Sequence, residues 1–252
     1  MIFRSTNLRE REQPDHTLKY NFLQKVDMSK INSETSYILG ALRDATFDIR
    51  KSKNYELKIA QKEVSWLRYL QKIFRENFEI SGNITKHING TEILRIHGRK
   101  SVEKIFNISE MKIPQEYWDT PSIIKKQNME LQFDYLCGFF DAEGGLPKDP
   151  LNAKQRYISF SQKNKESLIF IRKILVKKKF RPTNLTFCGN VWEFRLTRKN
   201  DIIDFCSNVR SFHKDKIRRL KLLKRACFPQ IGGGALPGVE RAKLPKIYSR
   251  VT

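Results

Sequence analysis

The sequence predicts an α+β fold built from two similar αββαββα units. Three observations carry this expectation: a repeat at an offset of about 100 residues, segments that alternate apolar and polar side chains after each repeat start, and amphipathic helical stretches between those segments. With hydrophobic residues at 39% of the 252-residue chain, there is enough apolar material for a packed core, which excludes a disordered protein.

Each copy opens with an apolar helix that ends abruptly. The first runs from Tyr37 to Phe47 (YILGALRDATF) and the second from Tyr135 to Leu146 (YLCGFFDAEGGL). Alternating residues follow at 47–60 and 156–162 and predict strands that close on Gln61-Lys62 and Gln162-Lys163. A helix comes next in each copy, from about Glu63 to Phe78 and from about Lys165 to Lys177. Turn residues then mark hairpins: Ser81-Gly82-Asn83 and Asn89-Gly90 in the first copy, Cys188-Gly189-Asn190 in the second. Arg95 is answered by Arg195, and the basic pair Arg99-Lys100 by Arg198-Lys199, ahead of further helices at Ser101–Phe106 and Asp201–Val209. A match this long at one offset implies a duplicated domain instead of a solenoid.

The expected organisation is an N-terminal extension at 1–32, a first half at 33–113, a linker at 114–121, a second half at 122–230 and a flexible basic tail at 231–252. A helix starting near Ser122 is expected to run straight into the second motif. The 49 Lys+Arg against 27 Asp+Glu give a formal charge of +22, which points to a polyanionic partner. The chain offers no apolar run long enough for a membrane helix and no signal-peptide core, so an intracellular setting, cytoplasm or organelle matrix, is expected. Cys137, Cys188, Cys206 and Cys227 form no CxxC pair and read as buried thiols. His16, His87, His97 and His213 are not spaced for metal binding or nucleophilic catalysis.

Residues Leu136 to Gly144 (LCGFFDAEG) closely resemble the motif that names the LAGLIDADG homing endonucleases, and the likeness extends over about residues 33–228. The chain resembles the monomeric, two-motif, archaeal intron-encoded type. That resemblance implies a pseudo-twofold DNA-binding saddle whose two motif helices pack face to face through small residues. It implies hydrolysis of both strands of a long duplex DNA site by a monomer that uses Mg²⁺ or another divalent cation such as Mn²⁺. Acids at the two helix exits would hold the metal, because close like charges need a cation to stay ionised together, and oxygen donors suit Mg²⁺.

Glu143 is the acid of the second copy. In the first copy two alignments stand. Matching Gly40 to Gly138 puts Ala45 opposite Glu143. Matching the helix exits puts Asp44 there, and this alignment is preferred because the strand start fixes the active end. By the same resemblance Gln61 and Gln162 arrange water and phosphate, and Lys216 faces the scissile phosphate, with Lys125 a weaker first-half counterpart. Strand residues Arg50, Lys53, Glu56, Lys58 and Arg95 in one half, and Lys154, Arg156 and Arg195 in the other, are expected to contact DNA, since a two-stranded ribbon fits the major groove. The departure of the first motif keeps open an alternative, a non-cutting nucleic-acid-binding protein such as an RNA-splicing maturase or regulator. With no splicing domain accommodated in this length, a free-standing or intron-encoded protein is expected over an intein.

Overall fold

The computed structural model of the chain describes residues 31–49, 55–87, 89–112 and 117–228. The expectations for the extension at 1–32 and the tail at 231–252 therefore lie outside the described residues, as do Arg50, Lys53 and part of the linker. The fold is contained in the compact unit that begins at Asn32.

Its elements run in chain order: α1 (Ser33–Ala41), a 3-10 turn (Leu42–Asp44), β1 (Ala45–Ile49), β2 (Tyr55–Gln61), α2 (Val64–Phe78), β3 (Asn83–Lys86), β4 (Glu92–His97) and α3 (Arg99–Ser109). Then follow α4 (Ser122–Lys125), α5 (Met129–Glu143), β5 (Gly144–Gly145), β6 (Ile158–Gln162), α6 (Lys165–Lys177), β7 (Thr186–Cys188), β8 (Val191–Leu196), α7 (Lys199–Asn208) and α8 (Lys214–Cys227). Two four-stranded antiparallel sheets result, ordered β1-β2-β4-β3 and β5-β6-β8-β7, so the repeat in the sequence is a repeat in topology.

The sheets follow from strict alternation. In β2, Leu57 and Ile59 are fully buried while Glu56 and Lys58 lie on the other face. In β6, Ile158 and Phe160 occupy the matching buried positions, and Phe160 stacks on Phe194 of β8 with ring centroids 5.1 Å apart. Apolar stripes on α2 (Trp66, Leu67, Leu70, Ile73, Phe74) and α6 (Leu168, Ile171, Ile174, Leu175) bury against these faces.

The two halves meet along α1 and α5, and glycine sets how closely. A Cβ on Gly138 would lie 1.8 Å from the Tyr37 carbonyl oxygen, and one on Gly40 would lie 2.0 Å from that of Tyr135. Each glycine thus receives the backbone of the opposite helix. Both helices are buried without a break around their glycines, from Thr35 to Ala41 and from Tyr135 to Asp141.

The helix expected to run unbroken from Ser122 is two helices. Asn128 is extended and its side chain accepts from Leu131 N–H to start α5. Gln132 Nε2 donates to the carbonyls of Lys125 and Gln127, closing the end of α4. The second ribbon also differs from expectation. β5 is only Gly144–Gly145, and Lys154 and Arg156 sit in the connection to β6 instead of on a strand. Pro147 and Pro150 cannot donate to a ladder, and Asp149 turns the chain by accepting from the amides of Leu151 and Asn152.

The cysteines are not all buried: Cys137 and Cys227 are, Cys206 is half-buried and Cys188 is exposed on β7, an edge strand. Among the described residues, no helix is long and apolar enough to cross a membrane.

Replacing Gly138 by Ala should destabilise the chain by at least the roughly 1–3 kcal/mol typical of overpacking, because the clash is with backbone. Urea unfolding of Gly138→Ala at the wild-type midpoint would contradict the close helix contact.

Candidate active site and nucleic-acid interface

The glycine contact fixes the two helices, and their C-terminal ends carry the acids. Gly40 and Gly138 occupy matching places, yet Asp44 follows its glycine by four residues and Glu143 by five. The 3-10 turn absorbs the difference. With rises of about 1.5 Å per α residue and 2.0 Å per 3-10 residue, Ala41 plus Leu42–Asp44 covers about 7.5 Å, the same as the five α residues ending at Glu143. The two glycines can therefore match while Asp44 and Glu143 both stand at the helix exits. Ala45 begins β1 and points into the core at 5% exposure, so it does not stand opposite Glu143.

Each acid meets the glutamine that ends the second strand of its own half. Gln61 Nε2 donates to Asp44 Oδ2, and Gln162 Nε2 donates to Glu143 Oε1 at 3.5 Å. Burial pushes Asp44 up to about 6, against the opposing pull of Gln61 and Lys216. Burial also raises Glu143, to about 7, and the Asp44 charge adds to the rise. The two carboxylates therefore sense each other across the helix pair. Lys216 is buried at the start of α8, where its ammonium donates to the Phe140 carbonyl and lies over the Phe140 ring at 5.0 Å. Burial lowers it to about 8, while Asp141, Asp44 and Glu143 hold its charge in place. Lys125 is not its counterpart: it pairs with Asp119 at 2.5 Å on the surface.

Asp44 and Glu143 offer only hard oxygen donors, and both are short of compensating charge, which fits a divalent cation. Among the described residues, no group of three or more His, Cys, Asp or Glu side chains is arranged for metal. The donor set is thus two carboxylates, the number with which Mg²⁺ sites commonly combine water and substrate phosphate oxygens.

Two buried charges without an assigned role in the sequence reading brace this centre. Arg43 and Asp141 each stand three residues after the motif glycine, with opposite charge. Asp141 accepts from Tyr37 Oη at 2.5 Å, from Ser211 Oγ at 2.5 Å and from Phe212 N–H at 2.7 Å. It thereby holds the segment that leads into Lys216. Arg43 donates to Tyr135 Oη at 2.9 Å and to the carbonyls of Trp118 and Asp119, both at 2.6 Å, tying the approach to α4 onto the interface. Tyr37 and Tyr135 are themselves repeat partners. A charge within an otherwise apolar motif helix was the available signal.

The expected DNA-contacting residues fall into separate groups. Lys58 and Arg95 are register partners on the solvent face of the first sheet, and both pair with Glu56, at 2.8 Å and 2.5 Å. Burial alone would raise the Glu56 carboxyl, but these two cations hold it below its ordinary value. Arg195 pairs with Glu193 and lies over the Tyr157 ring at 4.7 Å. Lys154 and Arg156 lie apart, beside a cleft.

Two helices packed together at glycine, each leading into a four-stranded antiparallel sheet, give the chain the fold of solved homing endonucleases. The chain is similar to the homing endonuclease I-ApeI of Aeropyrum pernix, with 28% identity over 228 residues, covering 82% of this chain and 96% of that protein. Solved structures of the homing endonuclease I-DmoI share the fold. A mesophilic variant matches at TM-score 0.53 and 18% identity over 70% of this chain and 88% of its own. The complex of I-DmoI with DNA and Mn matches at TM-score 0.53 and 18% identity, over 73% and 97%. No protein-family model matches the chain.

The raised acids give a pH dependence. Between the ordinary carboxylate range and about 6 to 7, the folded chain keeps protons that the unfolded chain has lost. Their contribution favours folding at low pH and is lost as pH rises through the folded values. In chelator, the melting temperature should fall more steeply from pH 5 to 8 in wild type than in Asp44→Asn/Glu143→Gln. Identical pH profiles would contradict this assignment.

Proposed function

We propose that the chain is a site-specific double-stranded DNA endonuclease, acting as a monomer and dependent on a divalent cation. The observation that carries this reading is the convergence of Asp44 and Glu143 at the exits of the paired helices, each with its own glutamine and with Lys216 beside both. Similarity to I-ApeI over most of both chains supports the endonuclease class. The I-DmoI structures hold DNA with Mn and with Ca, which supports a divalent ion bound at such a centre. The formal charge of +22 supports a polyanionic substrate.

In this reading Asp44 and Glu143 would hold Mg²⁺ or Mn²⁺. The ion would supply activation of water and stabilisation of the leaving oxygen. Gln61 and Gln162 orient the carboxylates and can donate to water or phosphate from the same amide groups. Lys216 offsets charge that develops on phosphate. Asp141 and Arg43 are positioning residues. The solvent faces of the two sheets, with Glu56, Lys58, Arg95 and Arg195, meet the duplex; their ion pairs preset side-chain orientation before base edges arrive. Arg50 and Lys53 belong to the same proposed contact through their place in the β1–β2 connection.

Two measurements test the reading. Asp44→Asn and Glu143→Gln should each lower Mg²⁺-dependent cutting of a target by at least about tenfold per 1.36 kcal/mol of lost stabilisation, and by several such steps. Duplex binding should persist in both, because a negative charge near phosphate has gone. Near-wild-type cutting by Asp44→Asn would refute the two-carboxylate centre. Duplex affinity should also fall steeply with salt, with a log–log slope of magnitude at least about 4; a flat response would refute the substrate class.

A further inference from the structure

Away from the acids, a cleft of about 1050 Å³ opens between the β5–β6 connection, the start of α7 and the end of α8. Lys154, Arg156, Lys199 and Arg225 line it, together with the polar side chains of Asn152 and Thr197. All four cations are exposed. No carboxylate is among the lining residues, and among the described residues none of the four cations has an ion-pair partner. The sheet faces differ: Lys58, Arg95 and Arg195 are each matched to a glutamate there. The cleft is thus lined by positive charge that no acid offsets.

We propose that this cleft is a second nucleic-acid contact, one that grips backbone phosphates away from the cutting centre and reads no base. It rests on the reading of the chain as a duplex-DNA-binding protein. Unpaired cations suit phosphate, because each phosphate they neutralise releases condensed counterions with no acid to displace. Position agrees with a flanking role. From Arg156 to Gln162, beside Glu143, the chain spans up to about 20 Å at about 3.3 Å per residue. At about 3.4 Å per nucleotide of a strand, that is near six nucleotides from the cut. The cleft is also particular to the second half, because the 14-residue α8 follows the second αββαββα unit, whereas among the described residues only the 4-residue α4 stands between α3 and α5.

The test uses the full chain and a 40-base-pair duplex of mixed sequence, with affinity read by fluorescence anisotropy across a KCl series. Arg156→Gln/Arg225→Gln should reduce the magnitude of the log–log slope by about 2, near 0.9 per lost phosphate contact. The second pair, Lys154→Gln/Lys199→Gln, should do the same, and both variants should melt at the wild-type temperature, since all four side chains are exposed. Wild-type slope and affinity in both pairs would overturn the proposal. A wild-type protein whose own binding ignores salt would instead overturn the DNA reading itself, and the cleft with it.

Discussion

The structure depends on the contact of two helix backbones at Gly40 and Gly138. Any side chain at either position would occupy the space of the facing carbonyl, so only glycine allows the approach. Three consequences follow. Around the glycines the helices are buried on all sides, so the stretches from Tyr37 to Ala41 and from Tyr135 to Phe140 are apolar and not amphipathic. Their exits lie side by side, which brings two acids into one centre. Their burial leaves those acids short of water, so both are held above the ordinary carboxylate range.

Around this twofold contact the chain departs from symmetry where function can use it. Arg43 and Asp141 are repeat partners with opposite charge, and each engages the tyrosine of the opposite helix. Asp141 secures the approach to α8, and through it Lys216; Arg43 secures the approach to α4. Lys216, which has no repeat partner among the described residues, thereby stands beside two acids that are related by the repeat. A single chain can hold such unlike halves, whereas two identical subunits could not. Trp66 Nε1 donates to Tyr37 Oη at 2.7 Å and Tyr69 stacks on Phe212 at 3.8 Å, so the first half also clasps the segment leading into α8.

Much of this was legible in the sequence. The offset of the repeat predicted two equivalent sheets, and alternation predicted which residues of β2 and β6 face the core. The acid of the first motif was harder to place, because the register from Gly40 and the register from β1 disagree by one residue. A 3-10 turn reconciles them, and no pattern of apolar residues announces a change of helix pitch over three positions. The loop carrying Lys154 and Arg156 has the polar composition of a DNA-facing strand without being one. Pro147 and Pro150 were the stronger signal, since a residue without an N–H breaks a ladder regardless of its neighbours. Arg43 and Asp141 could be seen as charges inside an apolar helix, but their partners lie 70 to 104 residues away in sequence and only packing reveals them.

The central claim is that both halves contribute one oxygen-donor acid to a shared cation centre. Anomalous diffraction from crystals of the full chain soaked in Mn²⁺ tests it most directly. The account predicts manganese density at the exits of α1 and α5 within about 2 to 2.5 Å of carboxylate oxygens of both Asp44 and Glu143, the range of hard cation–oxygen bonds. Density at Glu143 with none reaching Asp44, or manganese bound only elsewhere, would contradict it.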